Sequence, residues 1–207
     1  MYLRTEGIIL KRRNFGEADR IVTIFTRDFG KITVLAKGVR RPRSKKAGHL
    51  ELGSWCKVFV AKGKSLDLLT EVQTRYAFGI DNFSEEKTNK IYHILEIVEN
   101  IFPEHQKNLI AYNLLVKFLK RIEQNDDFNL LSTVFKIKLM SNLGYFTSHT
   151  LKESNTKNIL RSLENEDLEV IKDTISLSER SYLKLLTFLD SMIERTIQQK
   201  LKTSRFL

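Results

Sequence analysis

Six basic side chains lie close together between residues 37 and 46, and they could carry a binding function. The six are Lys37, Arg40, Arg41, Arg43, Lys45 and Lys46. No Asp or Glu lies between Asp28 and Glu51 to neutralise them. Guanidinium and ammonium groups at this density favour contact with phosphates or carboxylates. The segment therefore predicts a polyanionic partner: nucleic acid, an anionic membrane surface or an acidic protein tail.

The same segment is expected to be a loop. Gly38, Pro42 and Gly48 interrupt it, so neither a regular helix nor an inner strand can run through it. A loop can reach a ligand, although a solvated basic loop that only keeps the protein soluble is the alternative. Arg12, Arg13 and Arg20 form a second group of candidate phosphate contacts, because they flank the first expected turn between strands.

The positive charge is unevenly distributed along the 207 residues. Residues 1–79 contain 17 Lys and Arg against 7 Asp and Glu, whereas residues 80–207 contain 18 of each sign. The whole formal net charge of +10 therefore belongs to the first part of the chain. A hydrophobic content of 42% fits a globular protein, and the single Cys56 excludes an internal disulfide framework. The sequence predicts a protein of the reducing cytoplasm, without a signal peptide or transmembrane helix.

The sequence gives little support for a catalytic function. Gly63-Lys64-Ser65 is similar to the end of a phosphate-binding loop, but Val58 stands where that motif needs glycine. Cys56 lies within an expected strand, where a lone cysteine is usually a small apolar residue. The four histidines have no ligand partners at zinc-binding spacing. We therefore predict no catalytic residue, metal or cofactor. An enzyme acting on nucleic acid ranks last, because the basic part lacks clustered acids for metal ions.

The first part of the chain is expected to form strands. Its short runs are rich in Ile, Val, Thr, Phe and Leu, with turn residues between them. The expected strands are Arg4 to Arg12, Arg20 to Thr26, Lys31 to Lys37, Trp55 to Ala61 and Leu66 to Arg75. Five strands in under 80 residues predict a small antiparallel barrel of the oligonucleotide-binding (OB) type.

The second part is expected to be all helical. Apolar residues recur every three or four positions from Ser84 to Phe102, from Leu109 to Leu119, from Leu130 to Leu143 and from Tyr182 to Leu201. The period, charge and composition change together at Phe78-Gly79-Ile80-Asp81. The predicted fold is therefore a multi-domain α+β protein, with a barrel domain at 1–80 that binds the polyanion and a helical domain at 81–207.

The basic part of the sequence resembles the bacterial recombination mediator family RecO. The resemblance rests on five strings in their order and spacing. They are residues 7–12 (GIILKR), 15–22 (FGEADRIV), 25–31 (FTRDFGK), 35–44 (LAKGVRRPRS) and 67–71 (DLLTE). The helical part is similar mainly in character, together with Leu143-Gly144-Tyr145.

The resemblance implies an OB barrel followed by a helical domain, and a role without catalysis. It implies binding of single- and double-stranded DNA and annealing of complementary strands. It further implies contact with the acidic tail of single-strand-binding protein, work with RecR in loading RecA at gaps, and a place at the nucleoid. Many relatives carry a four-cysteine zinc module after the Leu-Gly-Tyr string. Residues 146–155 contain no Cys, so no zinc is expected here.

Particular residues are expected to carry these roles. Lys37, Arg40, Arg41 and Arg43 fall on the family-like string and are the main expected DNA contacts, with Lys45 and Lys46 added for their charge. Phe15 and Trp55 are candidates for stacking on bases, although an aromatic residue in a small barrel is more often part of the core.

A helical segment is the candidate site for the acidic tail. Its residues are Leu114, Lys117, Phe118, Lys120 and Arg121. An ordinary amphipathic helix with solvated lysines is the simpler interpretation. The competing function for the whole chain is a protein-binding adaptor whose basic barrel docks acidic tails and touches DNA only weakly.

Overall fold

A computed structural model describes residues 2–78, 80, 83–124, 127–150 and 155–206. The chain divides into two compact units, Met1–Tyr112 with Lys200–Leu207, and Asn113–Gln199. That division falls within a helix, whereas strands give way to helices near residue 80. The predicted domains, 1–80 and 81–207, follow the change of secondary structure. Gly79 and Asp81 of the expected boundary lie outside the described residues.

Five strands form a closed barrel in the first unit, which confirms the predicted OB-type architecture. They are β1 (Tyr2–Phe15), β2 (Asp19–Thr26), β3 (Gly30–Ala36), β4 (Trp55–Ala61) and β5 (Asp67–Tyr76). Their order around the barrel is β1-β2-β3-β5-β4.

One pair of neighbouring strands corrects the expectation of a wholly antiparallel barrel. β3 and β5 run parallel, and they pair only at Val34 with Asp67 and at Leu35 with Leu68. A closed ring of five strands cannot alternate direction at every step, because five is odd. One parallel junction is therefore required by the strand count.

On β3 and β4, alternate residues fill the inside of the barrel. On β3, Ile32, Val34 and Ala36 are buried, whereas the residues between them are partly exposed. Cys56 and Val58 of β4 belong to the same core cluster. This period of two places the intervening side chains on the outside of the barrel.

The outer side of β2, together with parts of β1 and β3, is covered within the same unit. Helix α1 (Glu85–Ile101) begins at Ser84, whose side chain accepts a hydrogen bond from the Lys87 amide. Beyond its end, the ring of Phe102 stacks on Phe25 of β2 at 4.8 Å. This side of the barrel is therefore a buried interface with helix α1 and the segment after it.

The segment after α1 also protects the free edge of β3. The amide of His105 donates to the carbonyl of Lys31 at 2.8 Å, and Glu104 bridges to Lys31 in parallel. Gly30 has a φ of +67°, and a Cβ atom there would lie 2.2 Å from the Gln106 carbonyl oxygen. Only glycine fits this close approach.

The second unit is helical, as predicted. Its helices are the larger part of α2 (Leu109–Glu123), then α3 (Phe128–Asn142), α4 (Asn155–Asn165), α5 (Leu168–Thr174) and α6 (Glu179–Ile197). Helix α3 is buried on nearly all sides, and even Lys136 is only 1% exposed. The Lys136 ammonium pairs with Asp190 of α6 at 2.6 Å.

Three features of the helical part differ from the prediction. Helices α4 and α5 were not expected, because both are short and mostly polar. Leu201 lies beyond the end of α6 and belongs to the first unit, although its spacing had placed it on the last helix. Across the described residues, no helix combines the length and hydrophobicity that crossing a membrane requires.

Candidate nucleic-acid interface

The basic loop, residues 37–54 between β3 and β4, has a fixed base. Val39 and Leu50 are completely buried and belong to the barrel core. Between them, a short 3-10 helix (Ala47–His49) lies beside β5, where His49 Nδ1 is 2.9 Å from the Thr74 hydroxyl oxygen. Two apolar side chains and this polar contact hold the loop against the barrel.

The start of the basic loop is joined to the turn between β1 and β2. The Gly38 amide donates to the Asp19 carboxylate at 2.7 Å, and the Arg40 amide donates to the Ala18 carbonyl at 2.8 Å. The Arg40 guanidinium reaches the Gly16 carbonyl at 3.4 Å. Loop and turn therefore form one continuous surface at this end of the barrel.

Five cations of the basic loop are exposed: Lys37, Arg40, Arg41, Arg43 and Lys45. None of them forms an ion pair with another described residue. Backbone hydrogen bonds from Arg41 to Gly38 and from Ser44 to Arg41 fold this part into successive turns. The arrangement presents a dense, unneutralised positive surface on a fixed backbone, which suits phosphate groups.

Lys46 and Arg12 are placed differently from the exposed cations. The Lys46 ammonium donates to the Leu69 carbonyl of β5 at 3.2 Å. Arg12 forms an ion pair with Glu51 and also donates to the Leu50 carbonyl at 3.4 Å. Both side chains are partly buried and brace the base of the basic loop.

The remaining two candidate cations lie at the same end of the barrel. Arg13 is exposed and pairs in register with Ile21, next to the pair Asn14 and Arg20. The Arg20 guanidinium donates to the Asn14 side-chain oxygen at 3.4 Å. Arg13 thus extends the exposed basic surface, whereas Arg20 contributes a partly buried charge.

The two aromatic candidates have different surroundings. Phe15 is 47% exposed at the end of β1. Trp55 is partly buried at the start of β4, with the Arg75 guanidinium 5.7 Å from its ring centre. The Trp55 side chain also interacts with the Tyr112 hydroxyl, whose pKa is raised mainly by burial.

The candidate tail-binding residues lie on α2. An open depression of about 410 Å³ is lined by Asn113, Val116, Lys117, Lys120, Arg121 and Gln124. Phe118 is buried instead, with its ring against Phe128 and Phe135, and Leu114 is partly buried. Three of the five predicted residues therefore share this surface, which we call the α2 surface.

Acidic side chains already accompany the cations of the α2 surface. Lys117 pairs with Asp167 at 3.1 Å, and Arg121 pairs with Glu169. The hydrogen bond and charge of Lys117 lower the pKa of Asp167. Because these acids compete with any anionic ligand, the α2 surface is weaker as an anion site than its sequence suggests.

The environment of the Cys56 thiol does not favour nucleophilic chemistry. Burial raises the pKa of the Cys56 thiol to about 11, and the thiol donates to the His49 carbonyl at 3.1 Å. Such a thiol stays protonated and is a poor nucleophile. Nowhere in the described ranges do three or more His, Cys, Asp or Glu side chains gather in a way that could hold a metal ion.

Comparison with protein families covers both parts of the chain. Residues 1–78 match the model of the Recombination protein O N-terminal domain, and residues 88–149 match that of the C-terminal domain. The chain belongs to the RecO family. The matched regions comprise the barrel and helices α1 to α3, so the family resemblance read from the sequence is confirmed.

Individual RecO relatives are similar over most of this chain. A DNA repair protein RecO from Dehalococcoides mccartyi is 33% identical over 142 residues, which are 69% of this chain and 56% of that protein. The one from Acetivibrio thermocellus is 34% identical over 145 residues, 70% of this chain and 58% of that protein. This chain thus spans little more than half the length of these relatives. The Caldicellulosiruptor bescii protein aligns over 97% of this chain and 89% of its own length, at 27% identity.

Some residues that shape the basic loop and the α2 surface were not predicted from the sequence. Asp19 orients the basic loop through the Gly38 amide, yet an acid at the start of a strand gives no sign of that role. Asn113, Val116 and Gln124 line the α2 surface. Their helical spacing with Lys117 and Lys120 was the available signal, since residues three or four apart share one face.

Proposed function

We propose that this chain is a DNA-binding protein of recombinational repair that acts without catalysis. It binds single- and double-stranded DNA through the basic loop and the adjoining end of the barrel. The observation that carries the proposal is the set of five exposed cations on an anchored loop with no acidic partner among the described residues. Membership of the RecO family supports the same conclusion.

The main contacts in this proposal are electrostatic. Lys37, Arg40, Arg41, Arg43 and Lys45 contact backbone phosphates, and Arg13 extends the path. Phosphate contacts carry no sequence information, so binding is largely nonspecific and strongly dependent on salt. Neutralising phosphates also reduces repulsion between two complementary strands while their bases stay available, and this favours annealing.

The protein partners proposed for this chain follow from the family. They are RecR, with which it assists RecA loading onto DNA covered by single-strand-binding protein, and the acidic C-terminal tail of that protein. The α2 surface is the candidate tail site, because Lys117, Lys120 and Arg121 lie beside apolar Val116. Binding of the tail there requires Asp167 and Glu169 to be displaced from their cations. Action at the nucleoid follows from the proposed DNA binding.

A salt titration with matched variants tests the proposal. Fluorescence anisotropy of a labelled single-stranded oligonucleotide should give a log–log salt slope of about −3.5 for five contacts. The triple variant Arg40→Glu/Arg41→Glu/Arg43→Glu should bind about 100-fold more weakly, with a slope flatter by about 2.

The control changes net charge equally elsewhere. Arg180→Glu/Lys184→Glu/Arg195→Glu reverses three exposed charges of α6 in the other compact unit. It should leave affinity within about threefold of the wild type, because these three cations do not belong to the proposed DNA-binding surface. Equal losses of DNA affinity in both triple variants would mean that the loop variant binds weakly only because its net charge is lower. Unchanged DNA binding in the loop variant, with tail binding far stronger than DNA binding, would instead favour the adaptor function.

A further inference from the structure

One side of the barrel outside the basic loop is partly exposed and carries aromatic and basic side chains. On β4, Cys56, Val58 and Val60 fill the core, so the residues that alternate with them lie on the outer side. Neighbouring outer residues come from β1 and β5. We call this set the sheet face: Arg4, Trp55, Lys57, Phe59, Gln73 and Arg75.

The sheet face pairs aromatic rings with guanidinium groups. The Arg4 guanidinium lies 5.0 Å from the centre of the Phe59 ring. The Arg75 guanidinium lies 5.7 Å from the centre of the Trp55 ring and also pairs with Glu6. Flat rings and guanidinium planes on a sheet surface are the groups on which unpaired nucleobases stack.

The side of an OB barrel that often binds oligonucleotides is largely covered in this protein. That side is the outer surface of β2 and β3. Here Phe25 of β2 lies under Phe102, and the Lys31 ammonium and Thr33 hydroxyl bond to Glu99 and Glu104. Any base-stacking surface on this barrel must therefore use other strands.

The sheet face adjoins the basic loop through β5. Lys46 of the loop bonds to the Leu69 carbonyl of β5, and β5 pairs with β4 along its length. Trp55 and Phe59 are four residues apart on β4, or about 13 Å. A stretched single strand whose phosphates lie on the loop can place successive bases along this distance.

We propose that the sheet face stacks unpaired nucleobases and thereby makes the protein bind single-stranded DNA more tightly than duplex DNA. This inference rests on the proposed DNA binding by the basic loop. A duplex presents the same phosphates to the loop but keeps its bases stacked inside, so it gains nothing from Phe59 or Trp55. The loop therefore binds both forms, whereas the sheet face binds only the single strand.

The charges of the sheet face agree with a stacking role. Arg4, Lys57 and Arg75 are its cations, and Glu6 and Glu71 lie beside them on β1 and β5. This balance attracts phosphates far less than the basic loop does. Removing a ring should therefore lower single-strand affinity without changing the salt slope.

Three DNA probes of equal length separate the contribution of the basic loop to affinity from that of the sheet face. They are a labelled single strand, the same strand with abasic sites throughout its central part, and a duplex, each titrated by anisotropy at one salt concentration. The full-length wild type should bind the ordinary single strand about fivefold or more tightly than the abasic strand. In Phe59→Leu, which keeps an apolar side chain, that difference should fall to under about twofold while duplex affinity stays unchanged.

Controls keep the test decisive. Phe188→Leu removes a 57% exposed ring from α6 and should behave as the wild type. Trp55 is the single tryptophan of the chain, so its emission should be quenched by the ordinary strand and not by the abasic strand. Equal binding of ordinary and abasic strands, or unquenched Trp55 at saturation, would reject the sheet face and leave loop binding intact. Failure of the wild type to bind any probe would reject both proposals.

Discussion

The basic loop and the α2 surface contain the same kinds of side chain in different electrostatic settings. On the loop, Arg41 and Arg43 are exposed and no described acid pairs with them. On the α2 surface, Lys117 and Arg121 pair with Asp167 and Glu169. A cation that already has a carboxylate partner must lose it before binding another anion. Clusters of basic residues therefore differ in function according to the acids that the fold brings beside them.

The backbones beneath the two surfaces also differ. The α2 surface lies on a regular helix, whose repeating backbone hydrogen bonds set its local shape. The basic loop lacks a regular hydrogen-bond ladder and depends on Val39 and Leu50 in the barrel core. Because a loop held in its binding conformation loses less entropy when a ligand binds, these apolar side chains contribute to affinity without touching the ligand.

The largest expected effect comes from removing one of these anchors. Leu50→Ala should lower the free energy of unfolding by about 3 kcal/mol, because Leu50 is completely buried. DNA affinity should fall several-fold, while the salt slope stays at its wild-type value because every cation remains. Denaturant unfolding and a salt series measure the two effects. Leu183→Ala, at a position 54% exposed on α6, is the control; unchanged DNA affinity in a folded Leu50→Ala protein would contradict the anchoring role.

A smaller effect is expected when the acids of the α2 surface are neutralised. Asp167→Asn/Glu169→Gln should raise affinity for a peptide of the single-strand-binding protein tail by about fivefold, because exposed ion pairs contribute under about 1 kcal/mol each. Lys117→Glu/Arg121→Glu should lower the same affinity by about tenfold. Isothermal titration calorimetry with the peptide measures both. If neither pair of substitutions changes tail binding, the tail binds elsewhere on the protein.

The smallest expected effect is a difference in salt slope between variants of an exposed cation, Arg41, and of a paired cation, Arg12. Arg41→Gln should flatten the log–log salt slope by about 0.7, the value for one contact with a single strand. Arg12→Gln should leave the slope unchanged, because Arg12 is engaged with Glu51 and the Leu50 carbonyl. Parallel anisotropy titrations compare the two. A flatter slope in Arg12→Gln would show that this arginine exchanges Glu51 for a phosphate.

The barrel could be predicted from sequence because its signals are local. Short runs rich in Ile, Val, Thr, Phe and Leu, with turn residues between them, identified all five strands, and the expected span of β4, Trp55 to Ala61, agrees with the structure. The parallel pairing of β3 with β5 depends on contacts between residues more than 30 positions apart. No local pattern reports such a contact, although the odd strand count implies it for a closed ring.

The candidate site was only partly predictable. Charge density and turn residues located the basic loop, but they could not distinguish exposed Arg43 from Lys46, which bonds to Leu69 on another strand. On α2, spacing alone could not decide which side of the helix faces the core. Phe118 packs against Phe128 and Phe135, so it cannot join Lys117 at the surface.

The two-residue pairing of β3 with β5 makes this junction the weakest seam of the barrel. Every other neighbouring pair is joined by seven or eight paired positions. Thermal opening of a closed sheet begins where the fewest hydrogen bonds must break, so we expect amide protons near Val34 and Leu68 to exchange with solvent before those of β1. The barrel therefore corresponds to a curled five-stranded sheet whose two edge strands, β3 and β5, are joined at only two paired positions.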